Sequence, residues 1–156
     1  MKIGVFVYSQ TGHTLSVAQR LEEKLSSAGY TVTLEQITVA GGRKQGDRQF
    51  ELEAKPGVGP YDVVIFGSAV EAFSLSPVMA RYLKQMETLA GKKVACLVTQ
   101  QFPYPWLGGN RAVRQMQALC ADKGGVNVGS GVVNWAESKR EKTTAKALDQ
   151  LSRAIS

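Results

Sequence analysis

The chain has 156 residues, 44% of them hydrophobic and 21% charged, which is typical of a water-soluble globular protein, and its length indicates a single domain. No apolar run approaches the roughly 20 residues that a membrane-spanning helix needs. The net charge of +6 fits an acidic partner, an anionic substrate or solubility alone, whereas scattered cations and the lack of any nucleic-acid-binding signature argue against nucleic acid.

The first third of the chain predicts a strand, a helix and an edge strand. Lys2 to Tyr8 is almost continuously apolar, as in a strand covered on both faces. From Thr14, apolar residues recur every three or four positions, which predicts an amphipathic helix that ends at Gly29. Tyr30 to Ile37 alternates between apolar and polar residues, typical of an edge strand. Val39 to Pro60 is rich in glycine and charge, and here we expect a short helix or a mostly irregular loop.

The rest of the chain alternates strands with helical patterns and shows no internal repeat or linker. The predicted elements are, in order, a strand over Tyr61–Phe66, a helix from Pro77 to about Met86, a strand over Lys93–Thr99, a helix from about Arg111 to Asp122, a strand over Val126–Asn134 and a helix over Lys139–Ile155.

This alternation predicts an α/β fold, a three-layer, doubly wound parallel sheet of five strands. The first, third and fourth predicted strands are the most uniformly apolar, so the order 2-1-3-4-5 places them at the centre. In that order the chain direction reverses between strands 1 and 3. Ligands of such sheets bind at the carboxyl ends of the strands beside this switch point.

The turn Ser9-Gln10-Thr11-Gly12-His13-Thr14 lies at that place. A strand that turns directly into a helix presents unpaired N–H groups and the positive end of the helix dipole, which together bind anions. Three hydroxyls add donors, and Gly12 allows close approach of the backbone. The turn lacks the Lys of a Walker loop and the three glycines of a dinucleotide fingerprint. It therefore predicts an anion site without a counter-charge of its own.

This hexapeptide resembles the phosphate loop of flavodoxins, whose pattern is Ser/Thr-x-Thr-Gly-x-Thr between the first strand and the first helix. The resemblance covers the whole chain and implies a flavodoxin-like fold that binds FMN non-covalently. It also implies that the 5′-phosphate is bound by Ser9, Gln10, Thr11, Gly12, His13 and Thr14.

The resemblance places the flavin ring between two later loops, after the third and fourth predicted strands. Flat apolar side chains would form its walls and backbone groups would bind its polar edge. Phe73, Phe102, Tyr104 and Trp106 are candidate walls. The implied residues of the first loop are Ser68, Ala69, Val70, Glu71, Ala72 and Phe73, and those of the second are Thr99, Gln100, Gln101, Phe102, Trp106, Gly108 and Gly109.

Two features depart from the electron-carrier flavodoxins, which are typically acidic. This chain is basic, and no Gly occurs between Ser68 and Pro77 to turn a peptide toward the flavin N5. We therefore expect an FMN protein acting in electron transfer, with a redox protein or a small quinone-like acceptor as partner. An NAD(P)H-dependent reductase of quinones or similar flat molecules is one alternative. A binding domain that keeps the fold without redox activity is another, and both monomer and dimer remain open.

Four side chains have both a functional and a structural interpretation. His13 lies at a helix N-terminus, where imidazole tends to lose its proton, and we expect only its backbone N–H to bind. Glu71 is either a functional carboxylate beside the flavin or, more simply, an exposed loop residue. Arg111 and Arg114 fit an anionic substrate, nicotinamide phosphates or solvated helix charges equally well.

The two cysteines and the N-terminus give weaker expectations. Cys96 and Cys120 form no CxxC motif or metal-ligand spacing, so we expect two buried reduced thiols and no metal. The first strand begins directly after Met1, without a signal-peptide pattern, and we expect a cytoplasmic protein.

Overall fold

The computed structural model describes residues 1–101, 108–136 and 138–156. Its elements, in chain order, are β1 (Lys2–Val7), α1 (His13–Ser27), β2 (Thr31–Gln36), β3 (Thr38–Val39), β4 (Leu52–Ala54), β5 (Val63–Glu71), β6 (Ser74–Leu75), α2 (Pro77–Gln85), β7 (Lys93–Gln100), α3 (Gly109–Asp122), β8 (Val126–Asn134) and α4 (Arg140–Ile155). No helix in these ranges is long and apolar enough to cross a membrane.

Five parallel strands form the main sheet in the order β2-β1-β5-β7-β8, and β6 pairs antiparallel with the end of β5. Counting only the five long strands, this is the predicted order 2-1-3-4-5, which is therefore confirmed. In register, Ile3 lies opposite Val32 of β2 on one side and Val63 of β5 on the other. The switch point between β1 and β5 places the Ser9–Thr14 turn at the centre of the carboxyl edge.

Two buried layers explain why the central strands read as continuous apolar runs. Alternate residues of each strand face opposite sides of the sheet. On one side, Val5 and Ile65 pack with α1 and α4. On the other, Phe6 and Phe66 pack with α2 and α3. Each central strand is thus covered on both faces, whereas the edge strand β2 is only half-buried, as its alternation predicts.

Two segments differ from the sequence prediction. The third long strand does not end at Phe66 but continues to Glu71. Gly67 lies within this strand. A Cβ at this position would lie 3.3 Å from Val7 Cγ2 and 3.4 Å from Thr14 Cγ2, so a larger residue would crowd both neighbours. The glycine allows α1 to approach the sheet closely. The connection from Val39 to Pro60 is mostly irregular, as predicted, but β3 and β4 add an antiparallel pair that its composition did not indicate.

Gly131 of β8 illustrates how closely α4 packs on the sheet. A Cβ at this position would lie 2.8 Å from Ala147 Cβ and 3.1 Å from Ala147 Cα, so backbone would have to move. We expect Gly131→Ala to lower the free energy of unfolding by about 1–3 kcal/mol, the usual cost of overpacking. Urea unfolding followed by circular dichroism measures this. Gly57→Ala, which enters open space, is the control, and an equal loss in both variants would contradict the packing argument.

Candidate functional site

The Ser9–Thr14 turn leaves the start of α1 open to a ligand. Gly12 adopts the left-handed conformation with φ of 91°, and its N–H donates to Ser9 Oγ at 3.0 Å. Among the described residues, no side chain caps the helix that begins at His13. Its first N–H groups therefore point outward together with the positive end of the helix dipole, an arrangement that binds phosphate-like anions.

Two hydroxyls join this turn to the end of β7. Thr14 is almost fully buried, and its Oγ1 lies 2.7 Å from Thr99 Oγ1. One of the two hydroxyls must donate to the other, so the pair retains one further O–H proton for a ligand. The contact fixes the first turn of α1 against a neighbouring strand of the site.

A cleft opens at the carboxyl edge beside this turn. It is lined by residues from the first strand–helix turn, from the ends of β5 and β7, and from two segments that the sequence did not suggest. Of the predicted site residues, it brings together Gln10, Thr11, His13, Thr14, Ala69, Val70, Glu71, Thr99, Gln100 and Gln101. The additional lining residues are Tyr8, Gln45 and Trp135.

The predicted loop after the third long strand is a β-hairpin. Strands β5 and β6 pair through Val70 with Leu75 and Glu71 with Ser74, and only two residues connect them. Both, Ala72 and Phe73, have positive φ, at 49° and 62°, as a type I′ turn requires. The side chain of Phe73 is half exposed. The end of a strand, rather than an irregular loop, forms this wall of the cleft.

The start of α3 packs directly on this hairpin. Gly108 has φ of 124°, and a Cβ there would lie 2.8 Å from Val70 Cγ1 and 2.9 Å from Phe73 Cα. At Gly109, a Cβ would collide with Gln100 Oε1. Both glycines therefore allow close packing behind the cleft, and neither lines it.

Glu71 is not the exposed loop residue that the sequence favours. Its carboxylate is buried at the end of β5 and accepts two hydrogen bonds from Arg43, at 2.8 and 3.2 Å. The N–H of Gly46 donates to it as well, at 2.8 Å. Arg43 is itself buried and also donates to the carbonyl oxygen of Asp47. The pair attaches the irregular segment after β3 to the wall of the cleft.

The protonation of this ion pair follows from its contacts. Burial alone would raise the pKa of the Glu71 carboxyl, but hydrogen bonds from Arg43, Ser76 and Gly46 outweigh it and hold the pKa below the ordinary 4.5. For Arg43, burial opposes the charge, while Glu71 and Tyr8 favour it and raise the pKa. Both groups are therefore charged at neutral pH, and the wall carries no net charge from them.

An aromatic stack closes the other end of the cleft. The ring of His13 lies parallel to that of Trp135, with centroids 4.3 Å apart and 13° between the planes. The guanidinium of Arg140 lies 4.5 Å from the centroid of the Trp135 ring. The side-chain amide of Gln101 lies 3.0 Å from His13 Nδ1. Trp135 thus brings the N-terminus of α4, with its cation, next to the anion-binding turn.

No protein-family model matches this chain, and no curated protein sequence matches it. Solved structures match it over nearly its full length. Flavodoxin 2 from Bacillus cereus is 22% identical, with 99% of this chain and 97% of that one covered and a TM-score of 0.72. A flavoprotein from Lactobacillus acidophilus NCFM in complex with FMN is 16% identical, with 94% and 97% covered and a TM-score of 0.66. The Trp repressor binding protein from Bacillus subtilis is 12% identical, with 99% of each chain covered and a TM-score of 0.65.

The chain has a flavodoxin-like fold. Within this fold, the remaining predicted site residues that the structure describes lie around the cleft without lining it. Ser9 and Gly12 form the turn itself, Ser68 is buried within β5, and Ala72 and Phe73 form the hairpin tip. Phe102, Tyr104 and Trp106 lie outside the described residues.

Other predicted side chains lie away from the cleft of the flavodoxin-like fold. Arg111 and Arg114 are exposed on α3, and Arg111 lines a separate groove. Cys96 and Cys120 are buried free thiols, as predicted, and the hydrogen bond between them together with burial raises the pKa of Cys96. In the part of the chain that the structure describes, no group of His, Cys, Asp or Glu could hold a metal ion.

Some residues of the site were not predicted from the sequence, and only some of them carry a sequence signal. Trp135 directly follows the last strand, so the rule that carboxyl ends of parallel strands share one edge already indicates it. Tyr8 directly follows the first strand and could be found in the same way. Arg43 and Gln45 belong to an irregular segment, where neither periodicity nor a motif marks a contact with a distant strand.

His13 offers a direct test of the stack. Burial lowers its pKa below the ordinary 6.5, and the charge of Arg140 lowers it further. The folded state thus disfavours the protonated form, so stability should fall as the pH drops below 6.5 toward the folded-state pKa, with no contribution from His13 above 6.5. His13 is the only histidine, so one imidazole proton resonance reports its titration. We expect Arg140→Gln to raise this pKa and Lys146→Gln to leave it unchanged. A pKa unchanged by the first substitution would contradict the contact.

Proposed function

We propose that this protein binds FMN non-covalently in the cleft and uses it to transfer electrons. The observation that carries the proposal is the uncapped start of α1, directly after the Ser9–Gly12 turn at the switch point of the sheet. It is supported by similarity to proteins named flavodoxin and to a flavoprotein in complex with FMN. A bound flavin would supply the redox chemistry, in one-electron or two-electron steps.

The chain's own groups fit the phosphate of this cofactor. The N–H groups of Gln10, Thr11, His13 and Thr14, with the hydroxyls of Ser9, Thr11 and Thr14, would bind it as donors to an anionic acceptor, while Gly12 keeps the turn open. The cradle has no cation in its own sequence. Arg140 partly compensates for this missing cation, because its positive charge acts on His13 in the turn and lowers the pKa of that residue. Phosphate binding would therefore combine short contacts in the turn with a longer-range attraction from α4.

The walls of the cleft would bind and orient the ring. Residues Ala69 to Glu71 at one strand end and Thr99 to Gln101 at another line the cleft, together with Trp135 and Gln45. A bare carboxylate at position 71 would repel the negative charge that reduction adds to a flavin. Its pairing with Arg43 removes most of this repulsion, so the wall tolerates both redox states.

Titration with FMN tests the proposal. We expect the protein to quench the fluorescence of FMN at a stoichiometry of one and to bind riboflavin, which lacks the phosphate, much more weakly. Unchanged fluorescence would refute FMN binding and leave the domain without redox activity. With FMN bound, rapid bleaching by NADH or NADPH alone under anaerobic conditions would identify an NAD(P)H-dependent reductase instead of a carrier. Bleaching only in the presence of a protein reductant supports the carrier.

A further inference from the structure

A second groove lies on the other side of the hairpin from the cleft. Glu71 lines both, so the end of β5 is their common wall. The groove runs between α2 and α3, and its apolar floor includes Leu75, Ala80 and Leu119. Any molecule bound there would lie directly behind the wall of the proposed flavin site.

The rim of this groove is positively charged. Arg48, Lys84 and Arg111 line it, all three are exposed, and within residues 1–101, 108–136 and 138–156 none of them forms an ion pair. Among the described residues that line it, the only carboxylate is that of Glu71, which is already neutralised by Arg43. The groove therefore presents three cations without a counter-charge of its own.

The sequences of the two flanking helices extend this charge. Helix α2 contains no acidic residue, and the only one in α3 is Asp122, its last residue. Arg114 lies one turn beyond Arg111 and is also exposed. On the opposite face of the sheet, α1 and α4 mix both signs. The two helices that flank the groove therefore bring almost no negative charge to it.

We propose that this basic groove, defined by Arg48, Lys84 and Arg111, is the docking surface for an acidic electron-transfer protein. The proposal rests on the proposed function. Charge complementarity carries it, because a rim of exposed cations attracts and orients an acidic surface over a distance. A small anionic ligand fits less well, since small-molecule sites place a few polar groups in an enclosed apolar pocket, whereas these three side chains are all exposed.

The electron balance is simple for an iron–sulfur partner. Each reduced ferredoxin gives up one electron as one of its irons goes from Fe(II) to Fe(III). Two ferredoxins therefore supply the two electrons of full FMN reduction, and the accompanying protons come from water. Because Glu71 lines both the groove and the cleft, a partner docked at this surface would lie next to the proposed flavin site.

Stopped-flow mixing of FMN-loaded protein with a reduced, acidic plant-type [2Fe–2S] ferredoxin tests the surface. We expect the second-order rate constant at low salt to be at least about tenfold lower in the double variant Arg48→Glu, Arg111→Glu than in the wild type. In the wild type, the rate constant should also decrease as the salt concentration rises. Lys142→Glu, Lys146→Glu on α4 is the matched control, because it changes the net charge by the same amount on the opposite face. With a basic cytochrome c as oxidant of the reduced protein, the groove variant should react faster than the wild type.

The outcomes separate this inference from the function on which it depends. A protein that takes up no FMN refutes the proposed function before any kinetic measurement. If all variants bind FMN but both double variants lose the same rate, net charge alone governs the encounter, and the groove is not the docking surface. Equal rates in all three proteins overturn the proposal as well. Only a loss confined to the groove variant, with the opposite sign for cytochrome c, supports it.

Discussion

A Thr11→Ala, Thr14→Ala double variant is expected to bind FMN at least about 100-fold more weakly than the wild type. Hydrogen bonds to a charged group contribute about 1.5–3 kcal/mol each, and about 1.4 kcal/mol corresponds to a factor of ten in Kd. The two hydroxyls lie at the open start of α1, where an anion would be bound. Isothermal titration calorimetry with FMN measures the loss, and riboflavin should show little change because it carries no phosphate.

Two further variants separate binding from folding. Thr14 also contacts Thr99 at 2.7 Å, so its removal disturbs a buried pair. Thr14→Ser keeps the hydroxyl and should retain most of the affinity. Thr31→Ala, Thr33→Ala makes the same chemical change at two exposed positions of β2 and should leave Kd unchanged. Equal losses for FMN and riboflavin would mean that the turn does not bind the phosphate.

Replacing Glu71 by Ala is expected to lower the free energy of unfolding by about 3–5 kcal/mol, the cost of leaving one member of a buried ion pair without its partner. The exposed fractions of the Arg43 and Glu71 side chains are 1% and 4%, so water cannot replace the lost carboxylate. Guanidinium unfolding measures the change. Glu141→Ala breaks an exposed ion pair with Arg20 and should have little effect, since such pairs are weak.

A double variant and the pH dependence test the same pair further. Arg43→Leu, Glu71→Leu should be less destabilised than either single change, because it leaves no buried charge. The pKa of Glu71 is lower in the folded state than its ordinary 4.5, so its contribution is fully present above that pH and is lost as the pH falls through the folded-state value. Glu71→Gln should therefore flatten the acid side of the stability profile. A single-variant loss as small as that of Glu141→Ala would contradict the buried pair.

Most of the sheet could be predicted because each strand is marked by the pattern of its own consecutive residues. Continuous apolar runs indicate strands covered on both faces, and one reversal of order fixes the switch point. The Ser9–Thr14 turn could be placed for the same reason, since it lies between two strongly patterned elements. The predicted strand Tyr61–Phe66 stopped short of Gly67, because a glycine that ends a strand and one that admits a neighbouring helix look alike in sequence.

The contacts that complete the cleft could not be predicted, because they join positions far apart in the chain. Arg43 and Glu71 are 28 residues apart, and His13 and Trp135 pack although they belong to the first and last strand–helix connections. Arg43 lies in an irregular segment without periodicity, so nothing marks it as a buried residue. Burial of Glu71 follows only from the presence of that partner.

The tip of the hairpin holds two residues in a strained backbone conformation. Each non-glycine residue in the left-handed region costs roughly 1–2 kcal/mol, and Ala72 and Phe73 both adopt it. Asn-Gly is the dipeptide that such a turn favours, and it would remove most of this strain. The present pair of residues is therefore not the most stable choice for this turn. Strain of this kind is commonly found at functional sites, which fits a hairpin tip that lies between the cleft and the basic groove.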